Sequence, residues 1–292
     1  MDHPMTTRLP HARRALVRLA IPIAIPLLLA IPTVAAPAGA QTDFYNTDRG
    51  RPLRTEDALV IERRAFELQA APLTFTRVAR GVSQWGIAPE LAWGFAPRTQ
   101  LEVALPIAVQ DDGTRPRALT ALAGVEVELL HQLNAETTTL PAFAIGAGVH
   151  LPVGPLAPVR ELVAVRALAT RTLAWGRLHL NGAYTVGDDL APGDRGADDA
   201  SRWAAGIAVD HTFPLRSLLV GAEVHAVAPL LADAATEWRV GAGVRQQLSP
   251  RVALDAGIGR RISEGGAGWT LTFGAAYAFA PPGMPGFGGR VR

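Results

Sequence analysis

Residues 237–258 read EWRVGAGVRQQLSPRVALDAGI, and this stretch decides the fold. Trp238, Val240, Ala242 and Val244 share one parity, whereas Glu237, Arg239, Gly241, Gly243 and Arg245 share the other. After the turn at Leu248-Ser249-Pro250, Val252, Leu254, Ala256 and Ile258 alternate with Arg251, Ala253, Asp255 and Gly257. An alternation of period two marks a strand with one apolar face and one polar or charged face. Two such runs joined by a short turn predict an antiparallel pair.

The same pattern extends outward over most of the chain. Twelve strand candidates lie near 60–78, 84–94, 99–109, 120–132, 138–150, 161–173, 177–186, 201–212, 217–227, 235–247, 252–261 and 268–279. Their connections alternate in length. Those at 95–98, 134–136, 174–176, 213–216 and 248–250 are tight, and those at 110–119, 151–160, 187–200, 228–234 and 262–267 are longer. Up-and-down barrels of the outer membrane have this order, short turns on the periplasmic side and long loops outside, with an even strand count. A soluble sandwich has no reason to keep it. The expected fold is therefore all-β, an up-and-down antiparallel transmembrane β-barrel of about 12 strands, with both barrel ends on the periplasmic side.

The N-terminus agrees with this destination. Residues 1–18 are basic, with Arg8, Arg13, Arg14 and Arg18, and Leu19 to Val34 is apolar. Ala38-Gly39-Ala40 then offers a cleavage site. Pro22, Pro26 and Pro32 interrupt the apolar run, which argues for a secretion signal over a spanning helix. The expected organisation is a signal peptide at 1–40, a periplasmic N-terminal segment at 41–58, the barrel at 59–280 and a Pro/Gly-rich tail at 281–292. The polar segment QTDFYNTDRGRPLRTEDA reads as a periplasmic lead-in or as a segment tucked into the barrel mouth. The expected location is the cell outer membrane, and the expected partners are outer-membrane lipid and the insertion machinery.

Bulk composition narrows the functional classes. All 28 basic residues are arginine, and four of them belong to the leader with Asp2. The remainder holds 24 basic and 25 acidic residues, a balance that gives no case for nucleic acid. The absence of cysteine removes disulfides and thiolate metal sites.

The faces follow the same parity. Outward candidates include Trp85, Leu91, Trp93, Leu101, Trp203, Ile207, Trp269 and Phe273. Lumen-lining candidates are Glu90, Glu102, Glu126, Glu128, Arg177, His179, Arg202, Asp210, Glu223, His225, Arg239, Arg245, Asp255 and Arg261. Arginine on the lipid face costs about 2–4 kcal/mol at mid-membrane, enough to turn these side chains inward. Two places break parity: Leu129-Leu130 is apolar on both faces, and Arg166 and Arg171 fall on opposite faces of one strand. Bulges or interface positions can absorb such exceptions. All six tryptophans lie near predicted strand ends, the position of an aromatic girdle.

Thr47-Asp48-Arg49, Glu67, and Leu101-Glu102-Val103 with Pro106 follow one another in an order similar to the opening of a broad family. This is the family of outer-membrane transport proteins named after the meta-pathway of phenol degradation. The resemblance implies a barrel that passes hydrophobic or aromatic compounds. The last strand candidate, WTLTFGAAYAF ending at Phe279, resembles the closing strand that the insertion machinery recognises by a terminal aromatic, although thirteen residues follow it here.

Reactive chemistry finds little footing. The His-x-Ser of outer-membrane phospholipases is absent, since Thr212 and Phe213 follow His211. The acidic loop with Asp188, Asp189, Asp194, Asp198 and Asp199 lacks a histidine and the spacing of an EF-hand, and reads as a solvated loop. Glu223 and His225 share one face and are expected to join an ion-pair ladder with Arg239 and Arg245. No enzyme, no cofactor and no metal is expected. The expected role is a channel or passive transporter for small molecules. Small inward residues such as Gly86, Gly146, Gly206, Gly241 and Gly243 suggest a narrow opening, and the mixed lumen charge predicts weak ion selectivity. The alternatives are a structural or ligand-binding barrel plugged by residues 42–58, and a membrane-embedded hydrolase acting through His211 or His225.

Overall fold

The computed structural model describes residues 46–77, 83–110, 119–196, 200–263 and 268–280. The leader, the tail at 281–292, residues 111–118 and 264–267 of two long loops, and Asp198 and Asp199 lie outside the described residues. Fourteen strand segments form one sheet that closes on itself. They are β1 (Phe66–Arg77), β2 (Ser83–Ala96), β3 (Thr99–Ala104), β4 (Ile107–Gln110), β5 (Leu119–Leu122), β6 (Val125–Asn134), β7 (Ala142–Leu151), β8 (Leu162–Leu173), β9 (Gly176–Val186), β10 (Ser201–Phe213), β11 (Leu218–Pro229), β12 (Glu237–Ser249), β13 (Val252–Arg261) and β14 (Trp269–Phe279).

Each segment pairs antiparallel with its neighbours, and β1 pairs with both β2 and β14, so the ring closes. β3 and β4 are two halves of one barrel strand, and so are β5 and β6, which makes twelve strands around the wall. The first break falls at Leu105-Pro106, where proline has no N–H for the ladder. The second falls at Ala123-Gly124. Gly124 has a φ of +129°, and a Cβ there would lie 1.9 Å from Nε2 of His150, which hydrogen-bonds the Ala123 carbonyl at 2.8 Å.

The alternation of faces is realised around the ring. Leu91, Trp93, Ile145, Val165, Leu180, Ile207, Val224, Ile258 and Phe273 are exposed on the outer face. Both parity exceptions have a cause. Leu129 faces outward, while Leu130 is fully buried on the inner face with Ala58, Ala142, Ala144 and Leu168. Arg171 sits on the outer parity of β8 near its end, where it donates to the carbonyls of Thr137 and Thr138 and needs no bulge. In β1 a register shift between Gln69 and Leu73, at Pro72, moves the outward parity from Leu68 to Leu73 and Phe75.

The aromatic residues gather at the two rims. Phe66, Trp93, Phe95, Tyr277 and Phe279 form a chain of ring contacts 5.5–6.0 Å apart at the tight-turn end. Phe75 and Trp85 face each other at the long-loop end, where Arg260 lies over the Trp269 ring. Long loops knit together beyond that rim: Leu162, Leu190 and Leu230 form a buried cluster, and Leu190 bridges Leu231.

The first strand starts at Phe66, six residues later than the sequence predicts. Residues before it turn inward: Val60 packs against the Ala58 cluster, and the Ile61 N–H donates to Gln100 of β3 at 2.7 Å. Similarly β7 starts at Ala142 because Thr137 and Leu140 close a turn ahead of it.

Candidate functional site: a strap across the lumen

Residues 46–61 pass through the ring as an irregular strap. Their contacts run around almost the whole wall. Arg49 pairs with Glu126 at 2.8 Å and Glu128 at 3.4 Å on β6. Arg51 is completely buried and pairs with Asp255 of β13 at 2.8 Å, Glu67 of β1 at 3.5 Å, and Asp48 beside it. Asp48 in turn accepts from Arg245 of β12 at 2.9 Å. Farther along, Glu56 pairs with Arg166 of β8, which also holds Glu128, and Asp57 lies 3.5 Å from Arg177 of β9.

The strap backbone is held by wall side chains. Glu223 accepts from the N–H groups of Arg54 and Thr55 at 2.8–3.0 Å. Asn181 accepts from Glu56 N–H and donates to its carbonyl, each at 2.7 Å. Thr170 Oγ1 accepts from Ala58 N–H at 2.8 Å. Backbone donors buried away from water need partners, and here the lumen supplies them without a β-ladder.

Close approach requires small wall residues. A Cβ at Gly257 would lie 2.2 Å from the Pro52 carbonyl, and one at Gly243 would lie 2.6 Å from Pro52 Cβ. At Gly206 and Gly221 the obstacles are Thr55 Oγ1 at 2.5 Å and Leu53 Cδ1 at 3.0 Å. The inward glycines of β10 to β13 therefore form a seat for the strap, where the sequence suggested a narrow opening.

Charge is arranged unevenly along the strap. Burial alone would raise the Asp48 carboxyl, but Arg51 and Arg245 outweigh it and hold it below the ordinary range. Burial pushes the Glu56 carboxyl up, to about 7, against the pull of Arg166 and with Glu128 adding to the rise.

The sequence-predicted lumen residues fall into distinct groups. Glu90, Glu102, Glu126 and Glu128 lie on β2, β3 and β6, and all four act on Arg49. Arg177 holds Asp210 through two bonds of 3.0 and 2.6 Å. His179 joins Asp210 at 2.9 Å on one side and the Thr170 hydroxyl at 3.0 Å on the other. Asp255 and Arg245 meet the strap at Arg51 and Asp48. Near the long-loop rim, Glu237 links Arg239 and Arg261 at 2.7 and 2.8 Å. Arg202 is pulled to that rim by Asp189 and the Thr185 and Gly187 carbonyls.

The ladder expected from Glu223 and His225 takes another form. Register places Gly241 opposite Glu223 and Arg239 opposite His225. Glu223 turns both oxygens to the strap, Arg239 pairs with Glu237, and Arg245 pairs with Asp48. Arg51, Arg166 and Thr170 are site residues that sequence parity did not single out. Arg166 carried a signal, as the charged inward residue of its strand.

The histidines named for hydrolysis are placed apart. His211 is exposed and contacts the Trp175 carbonyl at 2.8 Å and the Phe213 ring, while His225 faces the lumen. Thr170, His179 and Asp210 do line up as hydroxyl, imidazole and carboxylate, yet all three are buried and the strap N–H of Ala58 occupies the Thr170 oxygen. The described acidic-loop residues are also separate: Asp189 pairs with Arg202, and Asp194 accepts from Ala191 N–H.

No family model and no curated protein matches this sequence. Among solved structures, the chain is similar to an outer membrane channel from Pseudomonas putida F1, with a TM-score of 0.51, 12% identity, and coverage of 76% of this chain and 98% of that one. It is also similar to the KdgM porin, at a TM-score of 0.48 and 10% identity, covering 74% and 99% of the two chains. A similarity to the outer membrane phospholipase A from Escherichia coli has a TM-score of 0.40 and 9% identity, covering 77% and 95%. At such identities the likeness speaks for architecture, and the architecture of this chain is that of a twelve-stranded transmembrane β-barrel of the outer-membrane type.

Proposed function

We propose that this protein is an outer-membrane channel or passive transporter for small molecules, closed at rest by the strap at residues 46–61. One observation carries the reading: the strap crosses a charged lumen, yet among the described residues none of its backbone bonds joins a ladder of the wall. Ion pairs and side-chain acceptors hold it instead, and these can exchange for water and solute without opening the sheet. A permanent core would more naturally be apolar, because burying ion pairs is weak support for stability.

The described wall carries nine carboxylates, at Glu67, Glu90, Glu102, Glu126, Glu128, Asp210, Glu223, Glu237 and Asp255. At lumen-facing positions these nine stand against six arginines, Arg166, Arg177, Arg202, Arg239, Arg245 and Arg261. This surplus of acid replaces the expectation of weak selectivity with a preference for cations over anions. The opening motifs that resemble the phenol meta-pathway family support a transport role and place hydrophobic or aromatic compounds among the solutes to be tested.

A second reading, a plugged structural barrel, is favoured by the full burial of Arg51 and Asp57. Planar-bilayer conductance separates the two. Steady cation-preferring events after deletion of residues 46–58, with rare events in the full chain, support the channel. Silence of both proteins, each shown to be folded, supports the plugged barrel.

A further inference from the structure

The two ends of the barrel differ in charge. At the tight-turn end the described residues include Arg63, Arg64, Arg98, Arg171, Arg216 and Arg251, against Glu62 and Glu136. At the long-loop end, residues 152–161, 187–196 and 230–236 with Arg202 and Arg260 hold four arginines and five carboxylates. One rim is thus strongly basic and the other slightly acidic.

Two further observations concern the arginines of the basic rim. Its turn tips expose apolar side chains beside the arginines: Leu215 is fully exposed next to Arg216, Leu248 precedes Arg251, and Trp175 caps its own turn. In water these side chains gain nothing, whereas in a lipid head-group layer they reach the acyl boundary. In addition, Arg64 and Arg98 occupy left-handed backbone positions, with φ of 69° and 55°. Glycine or asparagine is at ease there, and arginine is not. Among the described residues, Arg63, Arg64, Arg98 and Arg216 have no carboxylate partner.

We infer that the tight-turn rim is a docking collar for anionic phospholipid head groups. The arginine guanidiniums meet lipid phosphates, and the apolar turn tips and the stacked aromatics beneath them anchor in the acyl boundary. Bidentate donors suit phosphate oxygens, and a basic residue near an anionic membrane surface favours binding several-fold. This inference stands apart from conduction through the lumen, because among the described residues no ion pair of residues 46–61 involves Arg63, Arg64, Arg98 or Arg216.

The test uses the full chain in detergent, titrated with phosphatidylglycerol or phosphatidylcholine of the same acyl composition and examined by native mass spectrometry. Phosphatidylglycerol is retained at least about fivefold over phosphatidylcholine, the effect of one arginine at an anionic surface. The variant Arg63→Gln/Arg64→Gln/Arg98→Gln/Arg216→Gln retains both lipids equally, while Arg160→Gln/Arg195→Gln at the opposite end keeps the preference. Equal retention by the unmodified chain overturns the inference. So does a preference that survives in the collar variant, or one lost equally in the opposite-end variant. Loss of the preference to millimolar inorganic phosphate also overturns it, since the rim would then read a free anion. Heat-dependent gel mobility reports folding. If the fourfold variant does not fold, Leu215→Ser/Arg216→Gln, confined to one exposed turn, lowers the same ratio, and an unchanged ratio there is equally decisive against the collar.

Discussion

The two sides of the lumen hold one strap by different means. On the side of β10 to β13, glycines let Pro52, Leu53 and Thr55 approach the wall so closely that the ion pairs there, Arg51 with Asp255 and Asp48 with Arg245, are sealed in, and the fit is first one of shape. On the side of β2 to β8, Glu126, Glu128 and Arg166 grip Arg49 and Glu56, so the fit is one of charge. Shape is short-ranged and fails abruptly when an atom is added. Charge falls off slowly, is screened by salt, and is weak wherever water reaches the pair. The glycine side should therefore set whether the strap can seat at all, and the carboxylate side how readily it leaves.

The largest effect is expected from Gly257→Leu or Gly243→Leu. Either adds a side chain where even its first carbon would lie only 2.2–2.6 Å from Pro52. The strap is expelled, conductance becomes steady, and trypsin cleaves after Arg54 in the folded barrel. A silent barrel with a protected strap would break the shape argument. Next comes Arg51→Met, which removes one of the two arginines, Arg51 and Arg245, that stand among Asp255, Asp48 and Glu67. Removing one member of such a buried group costs about 3–5 kcal/mol, read as a lowered urea midpoint for strap release.

Glu223→Ala should have a middling effect, since two strap N–H groups lose their acceptor. About 1–3 kcal/mol is expected, with Glu223→Gln recovering much of it because an amide oxygen still accepts. Arg49→Gln should do less. Its side chain is 41% exposed, so about 1 kcal/mol or less is expected, together with a reversal potential shifted further toward cations. The last test is a pH dependence. Glu56 titrates at about 7 in the seated strap against an ordinary value of 4.5. The seated state therefore binds the extra proton, and raising the pH through this window favours release. Asp48, held low, titrates below the window and does not oppose it. Open probability should rise between about pH 5 and pH 8 and do so less steeply in Glu56→Gln, where Asp57, also pushed up by burial, keeps part of the slope; a fall with pH would contradict the charge argument.

Much of the wall was legible in the residues themselves. Trp238, Val240 and Val244 against Arg239, Gly243 and Arg245 state both the strand and its faces, because a membrane wall presents oil on one side and polar groups on the other. The site was less legible. Gly243 and Gly257 look the same in sequence whether they border open water or a Pro52 carbonyl. Leu130 looked like a parity error until Ala58 gave it an apolar neighbour inside the ring. Glu223 looked like a partner for Arg239, but register set it against a glycine and left its oxygens to the strap.

By itself, the sequence determined the twelve-fold alternation, the order of short and long connections and the side on which each charge lies. These are local properties, set by the period of the strand and by the solvent on each face. Only the tertiary structure decided that Asn46 to Ile61 enter the ring, and which wall residues meet them. Those partners are up to 204 residues apart, as in Arg51 and Asp255. No local period encodes such a pairing; it follows from how the closed ring brings distant strands around one small interior.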